Sequence, residues 1–273
     1  MMRVTFATEA APGHESDDLF LDAKEVAGVF DGVTKPIGIE TGCVHGAAWY
    51  VGKLASEVGA LVGSHRKRCS DIVFDEHTDK RPSLPGLLAE AIERVRGWHV
   101  EECDLTNPST PAASLCLIRT VDDRVEYLVL CDAVLVLETA DGIEIVTDKR
   151  FQGAMADLPL ERAARELEKR KLTNQSCGYW VAAATPEAAH HALIGSFPLI
   201  GPRAVKRAAL LTDGAARAVD EFGFLDWREL LDLITDHGPD ELIRQVRTAE
   251  LRAPEHHLHK RHDDATVALC LFE

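Results

Sequence analysis

The chemistry this sequence can offer lies in acidic clusters set at the edges of apolar runs. Residues 26–30 are apolar and end in Asp31-Gly32. Asp17-Asp18 precedes Leu19-Phe20-Leu21, Asp213-Gly214 follows the apolar run 205–211, and Asp263-Asp264 precedes the run 265–272. Carboxylates brought together repel one another unless a cation or a proton sits between them. Ligands that are all oxygen select Mg²⁺ or Mn²⁺ over Zn²⁺. A hard-cation site gathered from distant parts of the chain is therefore one reading. The competing reading of each Asp-Gly is a hairpin turn. Asp141-Gly142 fits a turn, because alternating strand sequence flanks it on both sides. Asp31-Gly32 and Asp213-Gly214 lead instead into a loop and a helix, and a glycine there lets another group approach the backbone. Taken singly, Asp17-Asp18 and Asp263-Asp264 read as solvated loop ends.

These clusters need elements to position them. Residues 4–8, 19–21 and 26–30 read as strands. From Thr41, the positions Val44, Ala47, Ala48, Val51, Leu54, Ala55, Val58 and Leu61 recur at helical spacing. Gly42, Gly46, Gly52 and Gly59 lower the propensity of that helix, so packing must hold it. Residues 64–80 are charged and read as a surface loop. Ser83 is placed to cap a second helix with Leu84, Leu87, Leu88, Ala91, Ile92, Val95 and Trp98 on its core face. A strand meander is expected at 113–121, 125–130, 134–138 and 143–147, turning at Asp122-Asp123 and Asp141-Gly142. Then come a helix over 158–172, a strand over 179–184, a loop over 185–202 and a strand over 205–211. Helices over 215–222, 226–236 and 240–251 follow, the second opened by a capping box of Asp226 and Glu229. Residues 252–261 read as a polar loop and 265–272 as the last strand. Strands linked by hairpins favour antiparallel sheets, and two such sheets with helices outside absorb every element.

The 273 residues are 46% hydrophobic, which suffices for one large domain or at most two small ones, and a single domain over residues 1–273 is the expectation. Against 30 Lys plus Arg stand 45 Asp plus Glu, a formal charge of −15. Such a surface repels nucleic acid and anionic membranes and attracts divalent cations, so neither nucleic acid nor membrane is an expected partner. The seven cysteines are scattered and none forms a Cys-x-x-Cys pair. Neither a disulfide framework nor a Cys-type zinc site is expected from that spacing. No apolar run reaches membrane-spanning length and no basic-then-apolar leader opens the chain, which points to a cytoplasmic protein.

Taken in order, the motifs resemble those of the metal-dependent protein Ser/Thr phosphatases of type 2C. Ser16-Asp17-Asp18-Leu19-Phe20 stands where the family has an Asn/Glu-Asp pair before a strand, and Val29-Phe30-Asp31-Gly32 where it has a strand ending in Asp-Gly. Cys131-Asp132-Ala133 matches Gly-Asp-Ser, Thr212-Asp213-Gly214 matches Ser-Asp-Gly, and Asp263-Asp264-Ala265-Thr266-Val267 matches Asp-Asn-x-Thr-Val. The resemblance spans nearly the whole chain. It implies an α+β fold, a four-layer αββα sandwich of two antiparallel sheets flanked by helices, with two or three Mn²⁺ or Mg²⁺ ions at one end. It implies that Asp31 bridges two ions, that the Gly32 carbonyl binds one of them, and that Asp213 and Asp263 hold the other. Asp17 and Asp18 would bind through water or orient it, Asp132 would help hold a looser third ion, and Asp18 and Asp31 would be catalytic. The implied reaction is hydrolysis of a phosphorylated protein, at phosphoserine or phosphothreonine, or of a small phosphoester. A metal-bridging water would attack in line and no covalent intermediate would form.

The match departs at several positions. Pro12-Gly13-His14-Glu15 has no Arg where many members place a phosphate-contacting one, and an imidazole is a poor substitute for a guanidinium fork. Val33-Thr34-Lys35-Pro36 replaces the His or Met and paired glycines after Asp-Gly, and Arg217 falls near the place of an Asp used for the third ion. Two readings follow: a phosphatase, or a phosphatase-like regulatory or binding protein with weak or no turnover. A third, an αββα amidohydrolase with an N-terminal nucleophile, needs a Thr, Ser or Cys exposed by processing, which Met1-Met2-Arg3 does not offer. His256, His257, His259 and His262 read as a solvated loop and His190-His191 as surface. Trp49, Trp98, Trp180 and Trp227 read as core or half-buried. Ser176-Cys177 has no base beside it to make a nucleophile.

Overall fold

The computed structural model describes residues 2–33, 38–70, 81–156, 158, 162–254 and 260–273. The chain opens with β1 (Met2–Glu9), β2 (Leu19–Ala23) and β3 (Val26–Gly32), followed by α1 (Ala47–Ser70) and α2 (Leu84–His99). Then come β4 (Ala113–Val121), β5 (Arg124–Leu130), β6 (Val134–Thr139), β7 (Gly142–Val146), α3 (Lys149–Ala156) and α4 (Arg162–Leu172). A 3-10 helix, Pro186–His191, leads to β8 (Leu193–Pro198) and β9 (Arg207–Leu211). The chain ends with α5 (Asp213–Asp220), α6 (Trp227–His237), α7 (Pro239–Arg252) and β10 (Ala265–Phe272).

The strands form two five-stranded sheets, ordered β1-β10-β9-β6-β7 and β2-β3-β4-β5-β8, and every pairing is antiparallel. Their inner faces share a core of Ala27, Val29, Cys116, Ile118, Leu135, Leu137, Leu210 and Ala268. On the outer face of the second sheet, α1 and α2 pack Leu54, Val58, Leu88 and Ile92 against Phe30, Leu115 and Leu117. On the outer face of the first sheet, α5, α6 and α7 pack Ala215, Leu230, Ile234, Leu242 and Val246 against Val136, Leu211, Val267 and Leu269. The fold is thus α+β, two antiparallel sheets between helical layers. Covering both sides of each sheet explains why β3 and β4 read as continuous apolar runs: residues 26–30 and 113–119 are buried on both faces.

Several expectations are corrected. The four-strand meander is split: β4 and β5 pair in one sheet, β6 and β7 in the other, and the chain changes sheets at Cys131-Asp132-Ala133. Helix α1 starts at Ala47, not Thr41, and continues to Ser70, so residues 64–70 are helical and not loop. Residues 179–184 make only the isolated bridges Ala113 to Ala182 and Thr173 to Tyr179. The expected loop 185–202 contains the 3-10 helix and β8, and α3 arises where no element was expected. Thr34, Lys35, Pro36, His256, His257 and His259 lie outside the described residues.

Candidate metal and active site

The acidic clusters lie at strand and helix ends that share one end of the two sheets. Asp31 and Gly32 end β3, and Asp213 opens α5 directly after β9. Asp263 and Asp264 immediately precede β10, and Asp132 lies in the crossover from β5 to β6. Backbone contacts join them. Asp264 Oδ1 accepts from the Ala11 amide at 2.7 Å and its Oδ2 from the Asp17 amide at 2.6 Å. The Asp17 carbonyl accepts from the Gly32 amide at 3.1 Å, and Asp17 Oδ1 accepts from the Ala48 amide in the first turn of α1 at 3.0 Å. A carboxylate at a helix N-terminus meets unpaired N–H groups, so Asp17 helps cap α1.

The glycines of both Asp-Gly pairs are required by this crowding. A Cβ on Gly32 would lie 2.7 Å from the Asp17 carbonyl oxygen and 3.0 Å from the Ala47 Cβ. A Cβ on Gly214 would lie 1.9 Å from the Asp264 carbonyl oxygen. Each glycine therefore marks the point where a second acidic segment presses on the first.

The electrostatics show the same convergence. Asp31 is held well above the usual carboxylate range by burial and by Asp213, Asp18, Asp132 and Asp263. Burial, then Asp213 and Asp264, push Asp18 up to about 8 against the pull of the Thr212 hydroxyl. That hydroxyl donates to Asp18 Oδ2 at 2.7 Å. Burial and Asp213 push Asp263 up to about 6, and burial also raises Asp17, Asp132 and Asp213. Seven expected site residues (Asp17, Asp18, Asp31, Gly32, Asp132, Asp213, Asp263) are thus drawn into one neighbourhood.

The donor set suits hard divalent cations. It offers only oxygens, its carboxylates are mutually repulsive, and Asp18 Oδ1 is buried with no hydrogen-bond partner. A buried carboxylate oxygen without a donor is costly unless a cation or a proton meets it. Asp31, Asp213 and Asp263, with the Gly32 carbonyl, could hold the ions, with Asp18 beside them. Asp17 has one oxygen engaged by α1, which leaves the other for the cluster.

Two features were missed by sequence reasoning. Lys260 forms an ion pair with Asp263 and is raised by Asp263, Asp213 and Asp31, although burial alone would lower it. Its segment is fixed by the guanidinium of Arg217, whose Nη2 donates to the Lys260 carbonyl at 3.0 Å and whose Nη1 donates to Glu250 at 2.7 Å. Arg217 is therefore a buried anchor for that segment. The other feature is Cys131, which takes φ of +64° where the family pattern has glycine. The turn that presents Asp132 is kept at the cost of a left-handed non-glycine residue. His14 is exposed on a turn closed by its own amide to the Ala11 carbonyl.

No known family model matches the sequence, and no curated protein matches it by sequence. The fold does match solved structures over its whole length. One is a bacterial serine phosphatase, 12% identical with a TM-score of 0.60, aligned over 100% of this chain and 98% of that one. Another is the PPM Ser-Thr phosphatase MsPP from Mycobacterium smegmatis, 15% identical with a TM-score of 0.56, aligned over 99% and 98%. A third is the catalytic domain of PstP in complex with two manganese ions, 13% identical with a TM-score of 0.55, aligned over 99% and 97%. The chain has the αββα fold of the PPM-type Ser/Thr phosphatases.

Proposed function

We propose that the protein is a metal-dependent phosphomonoester hydrolase acting on phosphoserine or phosphothreonine in proteins, with residues 1–273 working as one phosphatase-like domain. The observation that carries this reading is the meeting of carboxylates from β3, α5, the segment before β10 and the β5–β6 crossover around the unpaired Asp18 Oδ1. Asp31, Asp213 and Asp263 hold Mn²⁺ or Mg²⁺, the Gly32 carbonyl adds a neutral oxygen, and Asp132 serves a looser position. When bound, such ions supply Lewis acidity toward the phosphoryl oxygens and a water of lowered pKa. Asp18, fixed by Thr212 through Oδ2, keeps Oδ1 for the site, where it would orient a water and hold a proton. Asp17 keeps the start of α1 against the site. The excess of acidic residues disfavours nucleic acid and anionic membranes as partners, and a cytoplasmic location fits that reading. Among the described residues, no helix is long and apolar enough to cross a membrane.

The test is hydrolysis of an aryl phosphate and a phosphothreonine peptide as Mn²⁺ is titrated. Activity that requires Mn²⁺ and falls by at least about 100-fold in Asp31→Asn supports the reading, a loss on the scale of a removed electrostatic catalytic group. Activity unchanged in Asp31→Asn refutes the assignment of the site. A second reading, a regulatory relative without turnover, is favoured by the Lys260–Asp263 ion pair, which puts a tethered cation among the carboxylates. Calorimetric Mn²⁺ binding with no hydrolysis of either substrate would favour that reading.

A further inference from the structure

Away from the carboxylates, Cys43, His45, His99 and Cys103 place one ligand atom each within 4.8 Å of one another. Cys43 and His45 lie in the segment just before α1, His99 is the last residue of α2, and Cys103 is in the turn that follows. Cys43 Sγ is 3.5 Å from His45 Nδ1 and 3.5 Å from His99 Nδ1. Cys103 Sγ is 3.6 Å from His45 Nδ1 and 3.2 Å from Cys43 Sγ. For Zn–S of about 2.3 Å and Zn–N of about 2.0–2.1 Å, a tetrahedron has S···N edges of about 3.6 Å and an S···S edge of about 3.8 Å. Three of the four sulfur–nitrogen edges already have that length, and the sulfur pair needs only to open slightly. Both cysteines are free thiols.

The ligands are oriented before any ion arrives. His45 stacks on Trp49 with ring centroids 3.8 Å apart, and Trp49 leans on His99 at 5.2 Å. His99 is only 1% exposed and its Nε2 has no hydrogen-bond partner. Its Nδ1, 3.5 Å from Cys43 Sγ, is the ring nitrogen placed to ligate. The His45 amide donates to Cys43 Sγ at 3.4 Å, which fixes the position of that sulfur. The two backbone segments are sewn together as well. The Asp104 amide donates to the Gly42 carbonyl at 2.7 Å, and Asn107 Nδ2 donates to the Glu40 carbonyl at 3.0 Å. Gly42, at φ of +69°, leaves room for Asp104, whose carbonyl oxygen a Cβ would approach to 2.9 Å.

We propose that Cys43, His45, His99 and Cys103 bind one Zn²⁺ as a closed tetrahedral site that staples the start of α1 to the end of α2. Two thiolates and two imidazoles select zinc over the hard ions suited to the carboxylates, and four protein ligands leave no open position for chemistry. The staple acts next to the carboxylate site. The segment it fixes runs straight into Ala47 and Ala48, which touch Gly32 and Asp17.

The test uses the full chain in reducing buffer, stripped with a chelator and titrated with Zn²⁺ and, separately, Co²⁺. One equivalent of Zn²⁺ is expected, and the Co²⁺ form should show the intense visible bands of a tetrahedral thiolate site. Asp31→Asn should retain both signals. The Cys43→Ser/Cys103→Ser pair should abolish the Co²⁺ bands, and His45→Ala, a milder change on a half-exposed loop residue, should weaken Zn²⁺ binding at least 10-fold. Bound zinc should also slow alkylation of Cys43 and Cys103 while leaving the exposed Cys177 unaffected. The proposal is overturned if the reduced protein binds no stoichiometric zinc and alkylation is unchanged. It is equally overturned if the Co²⁺ signal is lost in Asp31→Asn but kept in the cysteine pair, or if Cys43 and Cys103 form a disulfide in preference to binding metal.

Discussion

Gly214 shows how narrowly the site is built. Its absent Cβ would sit 1.9 Å from a backbone oxygen of Asp264, which no side-chain rotation can relieve. Gly214→Ala should therefore destabilise the protein by about 1–3 kcal/mol, the cost of overpacking. Gly97, exposed in the last turns of α2 with nothing near its missing Cβ, supplies the contrast. Gly97→Ala should stabilise by about 0.5–1 kcal/mol, the helix-propensity difference. Urea denaturation of both variants measures the two signs together. Lys260 yields a prediction of different character. Its ammonium shares Asp263 with any bound cation, so Lys260→Met should tighten Mn²⁺ binding several-fold by calorimetry. A weaker affinity in that variant would mean that Lys260 supports the cation and does not compete with it.

The elements that carry the ligands are tied by two anchors. One is Asp264, whose two carboxylate oxygens hold the Ala11 and Asp17 amides. Asp264→Ala removes two charge-assisted bonds and should cost about 3–6 kcal/mol, with faster hydrogen exchange at Ala11 and Asp17. The other is Glu250 on α7, fully buried between Arg217 and Arg247 and within 2.7 Å of His262 Nδ1. Arg247 Nη1 also donates to the Asp263 carbonyl at 2.7 Å. Glu250→Ala takes a buried carboxylate from Arg217 and Arg247, which keep Glu221 and Glu9, and should cost about 3–5 kcal/mol, read from the thermal midpoint.

These same elements show what could be read from sequence. β10 runs from Ala265 to Phe272 as expected, because an unbroken apolar stretch beside an acidic pair has few other meanings. The capping box at Asp226 and Glu229 forms, and Ser83 caps α2, because both signals are local. β8 escaped because Gly195 and Pro198 interrupt its pattern. Gly195 is there for Tyr127, whose hydroxyl would lie 2.4 Å from an added Cβ, and that partner is 68 residues away (195 − 127). Cys43 and Cys103 escaped for the same reason: no spacing rule joins two cysteines that only the α1–α2 packing brings together.

Across the molecule, most of the clustered carboxyls have pKa values raised by folding. Such a group contributes stability in full below its unfolded value of about 3.9 and loses it as pH rises through the folded value. That folded value is about 6 for Asp263 and about 8 for Asp18. The metal-free protein should therefore lose thermal stability steadily from about pH 4 toward pH 8. Saturating Mn²⁺ should flatten that slope, because an ion that binds only the folded state stabilises it by mass action. A midpoint that rises over the same range without metal would show that the carboxyls do not crowd one another. The convergence itself is tested most directly by titrating the protein with Mn²⁺ and recording its electron paramagnetic resonance. Two ions held together by Asp31 should give a spin-coupled signal that disappears in Asp31→Asn. Isolated, uncoupled Mn²⁺ signals that are identical in the wild type and in Asp31→Asn would mean that these carboxylates do not build a shared metal centre.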